Sequence, residues 1–255
     1  MQLKKQIPNF ITLLNLFSGC IAVLFAVQGQ LPLAAAFALL GIVFDFFDGL
    51  AARALQAYSE LGLQLDSLAD AVTSGVVPGI VMYQLLTRSF GQPFYIDSGN
   101  WQEAQVYTSF DISYVSFFGL CITLASAYRL AKFNIDTRQT DSFIGLPTPA
   151  NTLLILSLPL ILEYQPSAIV TSIIENKIVL LLITIISCYL LNAEIKLFAL
   201  KFKTWGFKEN AMRYVFLILC LGLLITLKFI AIPIIILLYI IFSAVYSFRN
   251  RGVVV

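Results

Sequence analysis

Apolar residues run along this chain in stretches of about twenty, the length an α-helix needs to cross a bilayer, with short polar connections between them. The strict alternation of a transmembrane barrel strand is missing from these runs. The pattern predicts about eight membrane helices, and hence an all-α polytopic membrane protein. The first covers about 9–27 and the second runs from there to about Leu55, with a brief turn at Gly29–Pro32 between them. A third begins near Leu63, and a fourth covers roughly 111–133. A fifth starts at Pro147 and Pro149, which suit a first helical turn, and reaches about Leu162. The last three lie near 174–193, 212–228 and 230–247. The opening Lys4-Lys5 followed by an apolar run resembles a signal peptide, but no small-x-small cleavage site follows, so the run is read as the first span. Residues 89–110 read as a loop whose Tyr95, Trp101 and Tyr107 suit the headgroup level, and Glu194–Arg213 reads as a basic amphipathic surface segment.

Composition agrees with a membrane setting. Hydrophobic residues make up 59% and charged residues 12% of the 255, with a mean hydropathy of +0.88. Histidine is absent, which removes a histidine base, a histidine nucleophile and histidine zinc sites together. Cys20, Cys121, Cys188 and Cys220 stand singly inside apolar runs, as buried thiols acting as small hydrophobes do. With eight spans, both termini fall on one side, and so do all of the 16 Lys and Arg residues except Arg88, Lys177 and Lys228. The positive-inside rule makes that side cytoplasmic and predicts an integral plasma-membrane protein with both termini in the cytoplasm.

Against this apolar background, Asp45, Asp48, Asp66 and Asp70 are conspicuous. The first pair is three apart and the second four apart, so each projects from one helix face. They fall in the last turns of the second span and the first turns of the third, at one depth near the cytoplasmic face. Acids so placed have three readings: a metal site, a proton or ion pathway, or pairs with a nearby Arg. Gly49, Ala52 and Gly62 leave room beside them, and Arg53 is a cation suited to phosphate oxygens. Acids, small residues and an Arg together suggest a metal-bridged diphosphate site, open to the cytoplasm.

The spacing D-x2-D-G-x2-A-R-x8-G-x3-D-x3-D, met by Asp45, Asp48, Gly49, Ala52, Arg53, Gly62, Asp66 and Asp70, resembles the signature of the CDP-alcohol phosphotransferase family. The resemblance implies a single integral-membrane domain over 1–255, with a catalytic core of about 7–193 and additional C-terminal helices at about 212–247. It implies an enzyme in which a hydroxyl attacks the lipid-side phosphorus of a CDP-linked lipid and releases CMP. Two divalent ions, Mg2+ or Mn2+, would be held by Asp45, Asp48, Asp66 and Asp70, with Asp70 also the general base. Gly49, Ala52, Arg53 and Gly62 would form the CDP seat. Asn15, with Thr12 one turn before it, would reach the CDP phosphates or, alternatively, serve as polar glue between helices. A homodimer is also implied, and nothing points to nucleic acid.

A wider stretch, from about Ile7 to Ala150, is similar to the integral-membrane phosphatidylserine synthase branch of that family. The resemblance rests on Phe44-Asp-Phe-Phe-Asp-Gly, Leu65-Asp-Ser-Leu-Ala-Asp, Arg129-Leu-Ala-Lys132-Phe-Asn134 and Phe143-Ile-Gly-Leu-Pro147-Thr-Pro149-Ala. It implies CDP-diacylglycerol and L-serine as substrates, with phosphatidylserine and CMP as products. Lys132 stands where that branch is expected to carry Arg, which keeps the charge but loses a bidentate grip. Arg129, Lys132 and Asn134 are the candidate acceptor-binding residues, unless the two cations are ordinary cytoplasmic anchors. Arg138 and the basic 196–213 segment suit membrane-lipid headgroups. The same chemistry on glycerol phosphate, an inositol derivative or choline is the neighbouring alternative. A cation-coupled transporter fits less well, since its acids would lie near mid-membrane on broken helices, commonly with an internal repeat.

Overall fold

The computed structural model describes residues 2–91, 114–136, 143–197 and 206–250. Within them the apolar runs form helices. α1 (Gln2–Val27) and α2 (Leu31–Ala54) make a hairpin about Gly29, whose φ of 74° is open to glycine at no steric cost. Fully buried Ala22, Ala26, Ala34, Ala35 and Ala38 let the two backbones approach closely, and Phe25 stacks on Phe37 at 5.4 Å. Packing through small residues is how helices associate where lipid offers no hydrophobic contrast.

The third run is a single long span of two helices. α3 (Glu60–Ala71) starts at Ser59, whose Oγ accepts the N–H of Gly62 at 3.0 Å as an N-cap. A five-residue π-helical turn, Val72–Val76, joins it to α4 (Val77–Ser89). A π turn disturbs the ordinary carbonyl ladder, and its neighbours supply donors. Thr123 Oγ1 donates to the Gly75 carbonyl at 3.0 Å, and Thr152 Oγ1 to that of Ser74 at 3.1 Å. On its other side Thr73 fits against two glycines. A Cβ on Gly41 would lie 2.7 Å from Thr73 Cγ2 and 2.9 Å from Asn15 Oδ1, and one on Gly19 would collide with Thr73 Oγ1. Gln84 of α4 then caps the end of α1, donating to the carbonyls of Ala26 and Val27 at 3.1 Å each.

A 3₁₀ segment, Tyr114–Leu120, leads into α5 (Cys121–Ile135) and stacks Phe117 on Tyr83 at 5.4 Å. α6 (Thr148–Tyr164) is followed by the bent pair α7 (Ala168–Ile174) and α8 (Lys177–Asn192), which meet at 60°. Two two-residue strands, β1 (Phe143–Ile144) and β2 (Lys196–Leu197), pair antiparallel and tie the start of α6 to the end of α8. They are the only departure from an all-helical fold among the described residues.

α9 (Phe207–Leu227) and α10 (Ala231–Asn250) are joined by a 3₁₀ turn at Lys228–Ile230. The Phe216 ring lies 6.0 Å from both Tyr239 and Phe242, so the two helices fold back on each other. Gln165, just after α6, binds this turn: its Nε2 donates to the Leu227 carbonyl at 3.1 Å, and its Oε1 accepts the N–H groups of Phe229 and Ile230 at 2.8 and 3.3 Å.

Helical stretches long and apolar enough to cross a membrane are Gln6–Val27, Leu31–Ala54, Glu60–Ser89, Tyr114–Ile135 and Tyr214–Ser243, with the α7–α8 pair as a sixth. Each of the eight expected runs forms a helix. The seventh and eighth are the two arms of the Tyr214–Ser243 stretch, which folds back at Lys228, and the fifth is α6, 17 residues long. Large apolar side chains remain exposed around the whole bundle, including Phe10, Leu24, Phe46, Leu124, Ile218 and Ile225, as a lipid-facing surface requires. The interfacial aromatics Tyr95, Trp101 and Tyr107, the cation Arg138 and residues 198–205 of the basic 196–213 segment lie outside the described residues.

Candidate active site

The aspartate pairs come together because the chain reverses between them. α2 ends at Ala54, a short link turns through Leu55–Ser59, and the Ser59 cap starts α3 in the opposite direction. Asp45 and Asp48 on α2 then face Asp66 on α3, with one carboxylate oxygen from each of the three within 4.8 Å of the others. Carboxylates gathered this closely repel one another unless a cation or proton lies between them. Asp48 is only 6% exposed, and Thr12 of α1 orients it through a 2.6 Å hydrogen bond from Oγ1 to Oδ2. Hard oxygen ligands, partly buried and held by neighbours, suit Mg2+ or Mn2+. The three aspartates therefore pass the chemical test for a divalent ion.

A cavity of about 260 Å³ opens beside the triad. Its floor contains Asp45, Asp48 and Asp66, and Gly49, Ala52 and Gly62 line its walls, as their small size predicted. A Cβ on Gly49 would meet only Arg53 Nη2, at 3.9 Å, so Arg53 reaches back over Gly49 at the exposed end of α2. Asn9, Tyr58 and Ser59 also line the cavity. Sequence reasoning missed these three. Asn9 stands one turn before Thr12 on α1, and Ser59 three residues before Gly62, so helical spacing from residues already singled out was the available signal.

Asp70 stands one turn further along α3, outside the group of three but within electrostatic reach of it. Asn15 Nδ2 donates to its Oδ1 at 3.4 Å, and Thr73 Oγ1 in turn donates to Asn15 Oδ1 at 2.8 Å. Asn15 is fully buried, and its amide engages Asp70 and Thr73. Expected to reach the CDP phosphates or to serve as polar glue between helices, it ties α1 to Asp70 and Thr73, while Thr12 from the same helix holds Asp48. Thr73 carried no sequence signal beyond its place three residues after Asp70.

A model of the family described as CDP-alcohol phosphatidyltransferase matches residues 5–187. The chain belongs to this family. Among curated proteins, this phosphatidyltransferase is 33% identical over 149 residues to a CDP-diacylglycerol–serine O-phosphatidyltransferase of Bacillus subtilis, covering 57% of this chain and 70% of that protein. It is 32% identical over 174 residues to the Saccharomyces cerevisiae protein of the same name, covering 62% and 55%. It is 29% identical over 154 residues to an archaetidylserine synthase of Methanothermobacter thermautotrophicus, covering 59% and 56%. The matched stretch thus spans about half the length of the yeast and archaeal relatives. It includes all four aspartates.

The three residues expected to bind the acceptor have separate environments in the phosphatidyltransferase. Arg129 on α5 is 8% exposed, interacts electrostatically with Asp70, and its Nε has no hydrogen-bond partner within the protein. It points inward, which a headgroup anchor would not. Lys132 pairs with Glu194 at 3.5 Å, beyond the end of α8. Asn134 Nδ2 donates to Ser67 Oγ at 2.8 Å, tying α5 to α3. Of the three, Arg129 is the one whose charge acts on Asp70.

Proposed function

We propose that the chain transfers the phosphatidyl group of CDP-diacylglycerol to the hydroxyl of L-serine, giving phosphatidylserine and CMP. The observation that carries the reading is the arrangement of the acids: three converge beside the small-residue cavity, and the fourth, Asp70, stands one turn further along α3 with the charge of buried Arg129 acting on it. The names of the matched relatives support serine as the acceptor.

Two divalent ions held by Asp45, Asp48 and Asp66, with Asp70 beside them, would neutralise negative charge on the diphosphate and on departing CMP. The residues of the chain do the rest. The wall of Gly49, Ala52 and Gly62 lets the diphosphate approach the acids without side-chain interference, and Arg53 offers donors to phosphate oxygens. Asn15 and Thr73 fix the Asp70 carboxylate on the acceptor side. The serine oxygen forms a bond to the lipid-side phosphorus while the bond from that phosphorus to the CMP oxygen breaks. Asp70 takes the hydroxyl proton as the bond forms. Arg129 balances charge on the acceptor side of Asp70.

The site and both termini face the cytoplasm of a plasma membrane in this reading, supported by the placement of nearly all Lys and Arg on one side. The protein assembles as a homodimer, as the family resemblance implies; light scattering in detergent giving a monomer mass would refute this. The test of function is to supply purified protein with CDP-diacylglycerol, Mn2+ or Mg2+ and each alcohol in turn, and to read CMP release. Serine should support turnover. Turnover with glycerol phosphate, inositol or choline, and none with serine, would overturn the serine assignment.

A further inference from the structure

Resting on the serine reading above, we infer that the acceptor is held in a compartment between α5, α6 and the π turn, with Asn151, Ser126 and Ser74 as binding residues alongside Arg129. Asn151 carries the inference. It lies in the first turn of α6, is 0% exposed, and neither its Nδ2 nor its Oδ1 has a hydrogen-bond partner within the protein. A buried amide with two donors and an acceptor all unused is costly unless something else binds it. Ser126 Oγ, Ser74 Oγ and Arg129 Nε are likewise buried and unpartnered. Buried serine hydroxyls elsewhere, on Ser116 and Ser187, and Asn192 Oδ1 are also unpartnered, but no acid accompanies them in the site described above.

These groups sit on elements that meet at the π turn. Thr152, next to Asn151, donates to the carbonyl of Ser74, while a Cβ on Gly75 would lie 3.4 Å from Ser126 Cβ. Ser74 follows Asp70 by four residues, and Arg129, which follows Ser126 by three, interacts with Asp70. Ser74 therefore lies one turn beyond Asp70, away from Asp66, and an acceptor held there approaches Asp70 from that end. Its chemistry suits a small zwitterion. The Arg129 guanidinium takes the carboxylate, and Asn151 Oδ1 accepts from the ammonium, with the two serine hydroxyls completing its shell. Lys132 and Asn134 have no part in this grip, because Glu194 and Ser67 occupy them.

The test compares L-serine, L-serinamide and 3-hydroxypropionate as acceptors for the full chain with CDP-diacylglycerol and Mn2+. Asn151→Leu should raise KM for L-serine about tenfold or more and leave KM for CDP-diacylglycerol nearly unchanged. It should also abolish the preference for L-serine over 3-hydroxypropionate, which lacks the ammonium, while keeping the preference over serinamide. Arg129→Gln should show the opposite pattern. Because Asn151→Leu and Ser126→Ala remove unsatisfied buried groups, both should melt no lower than wild type while binding serine more weakly. A purely structural role would lower melting temperature and spare the acceptor preference. An Asn151→Leu enzyme with wild-type preference against both analogues overturns the inference, as does Ser126→Ala with an unchanged KM. Should the wild type use another alcohol and not serine, the serine assignment falls. The compartment then stands or falls on whether Asn151→Leu raises KM for that alcohol.

Discussion

Replacing Thr12 with valine keeps the shape of the side chain and removes one hydroxyl, so it tests how Asp48, the proposed metal ligand, is held. The bond from Thr12 Oγ1 to Asp48 Oδ2 is 2.6 Å long and buried, with Thr12 4% and Asp48 6% exposed. The Pro8 carbonyl lies 3.1 Å from the same oxygen. A hydroxyl has a single proton, and the shorter, charge-assisted contact is the stronger one. Its loss from a buried site costs about 1.5–3 kcal/mol. At about 1.4 kcal/mol per factor of ten, the loss corresponds to about a tenfold to hundredfold weakening if it falls entirely on the disposition of Asp48. Outer partners of metal ligands have effects of the same size on metal affinity, about 10–100-fold. CMP release measured across a Mn2+ titration should therefore show the half-activating concentration rising by at least about tenfold in Thr12→Val, with activity largely restored at saturating metal. An unchanged midpoint would mean that Thr12 does not orient a metal ligand. A loss that no metal concentration restores would mean that its hydroxyl acts on substrate.

Other perturbations separate the parts of the molecule. Gly41→Ala places a methyl 2.7 Å from Thr73 Cγ2 and 2.9 Å from Asn15 Oδ1; it should cost about 1–3 kcal/mol of stability and slow turnover by displacing Asp70, seen as a fall in kcat with little change in the Mn2+ midpoint. Equal kcat in wild type and variant would refute the positioning role of Asn15 and Thr73. Lys132→Ala removes a partly exposed ion pair with Glu194, and should change stability by less than about 1 kcal/mol and leave KM for serine within about twofold of wild type. A tenfold rise would return Lys132 to the acceptor site. Gln165→Leu cuts the bonds to Leu227, Phe229 and Ile230; a lowered melting temperature with unchanged KM values is expected, and a change in acceptor KM would connect the C-terminal hairpin to the site.

Much of the site was legible along the chain because helical geometry is local. Offsets of three and four put Asp45 with Asp48 and Asp66 with Asp70 on shared faces whatever the rest of the fold does. The short link between the two helices, with Ser59 as a cap, then makes them antiparallel neighbours. Small residues at 49, 52 and 62 could be recognised as cavity walls for the same reason, since they repeat at the period of the acids they accompany. The apolar runs likewise announced helices, including the two arms that meet at the turn near Lys228, although length and hydropathy did not foresee the bend between α7 and α8.

What the sequence alone determined, then, is the acid motif, its helical presentation and the family to which it belongs, because each depends on residues within a few turns of one another. Tertiary structure decided the partners. Asn15 meets Thr73 from 58 residues away, Lys132 meets Glu194 from 62, and Asn134 meets Ser67 from 67. No local periodicity encodes such pairings; they follow from how α1, α3, α5 and α8 pack. The same packing buried Arg129 and Asn151 and left Arg129 Nε and both amide atoms of Asn151 without protein partners. A polar residue in an apolar helix looks alike in sequence whether it binds a neighbour, lipid headgroups or a substrate. Only its surroundings tell these apart.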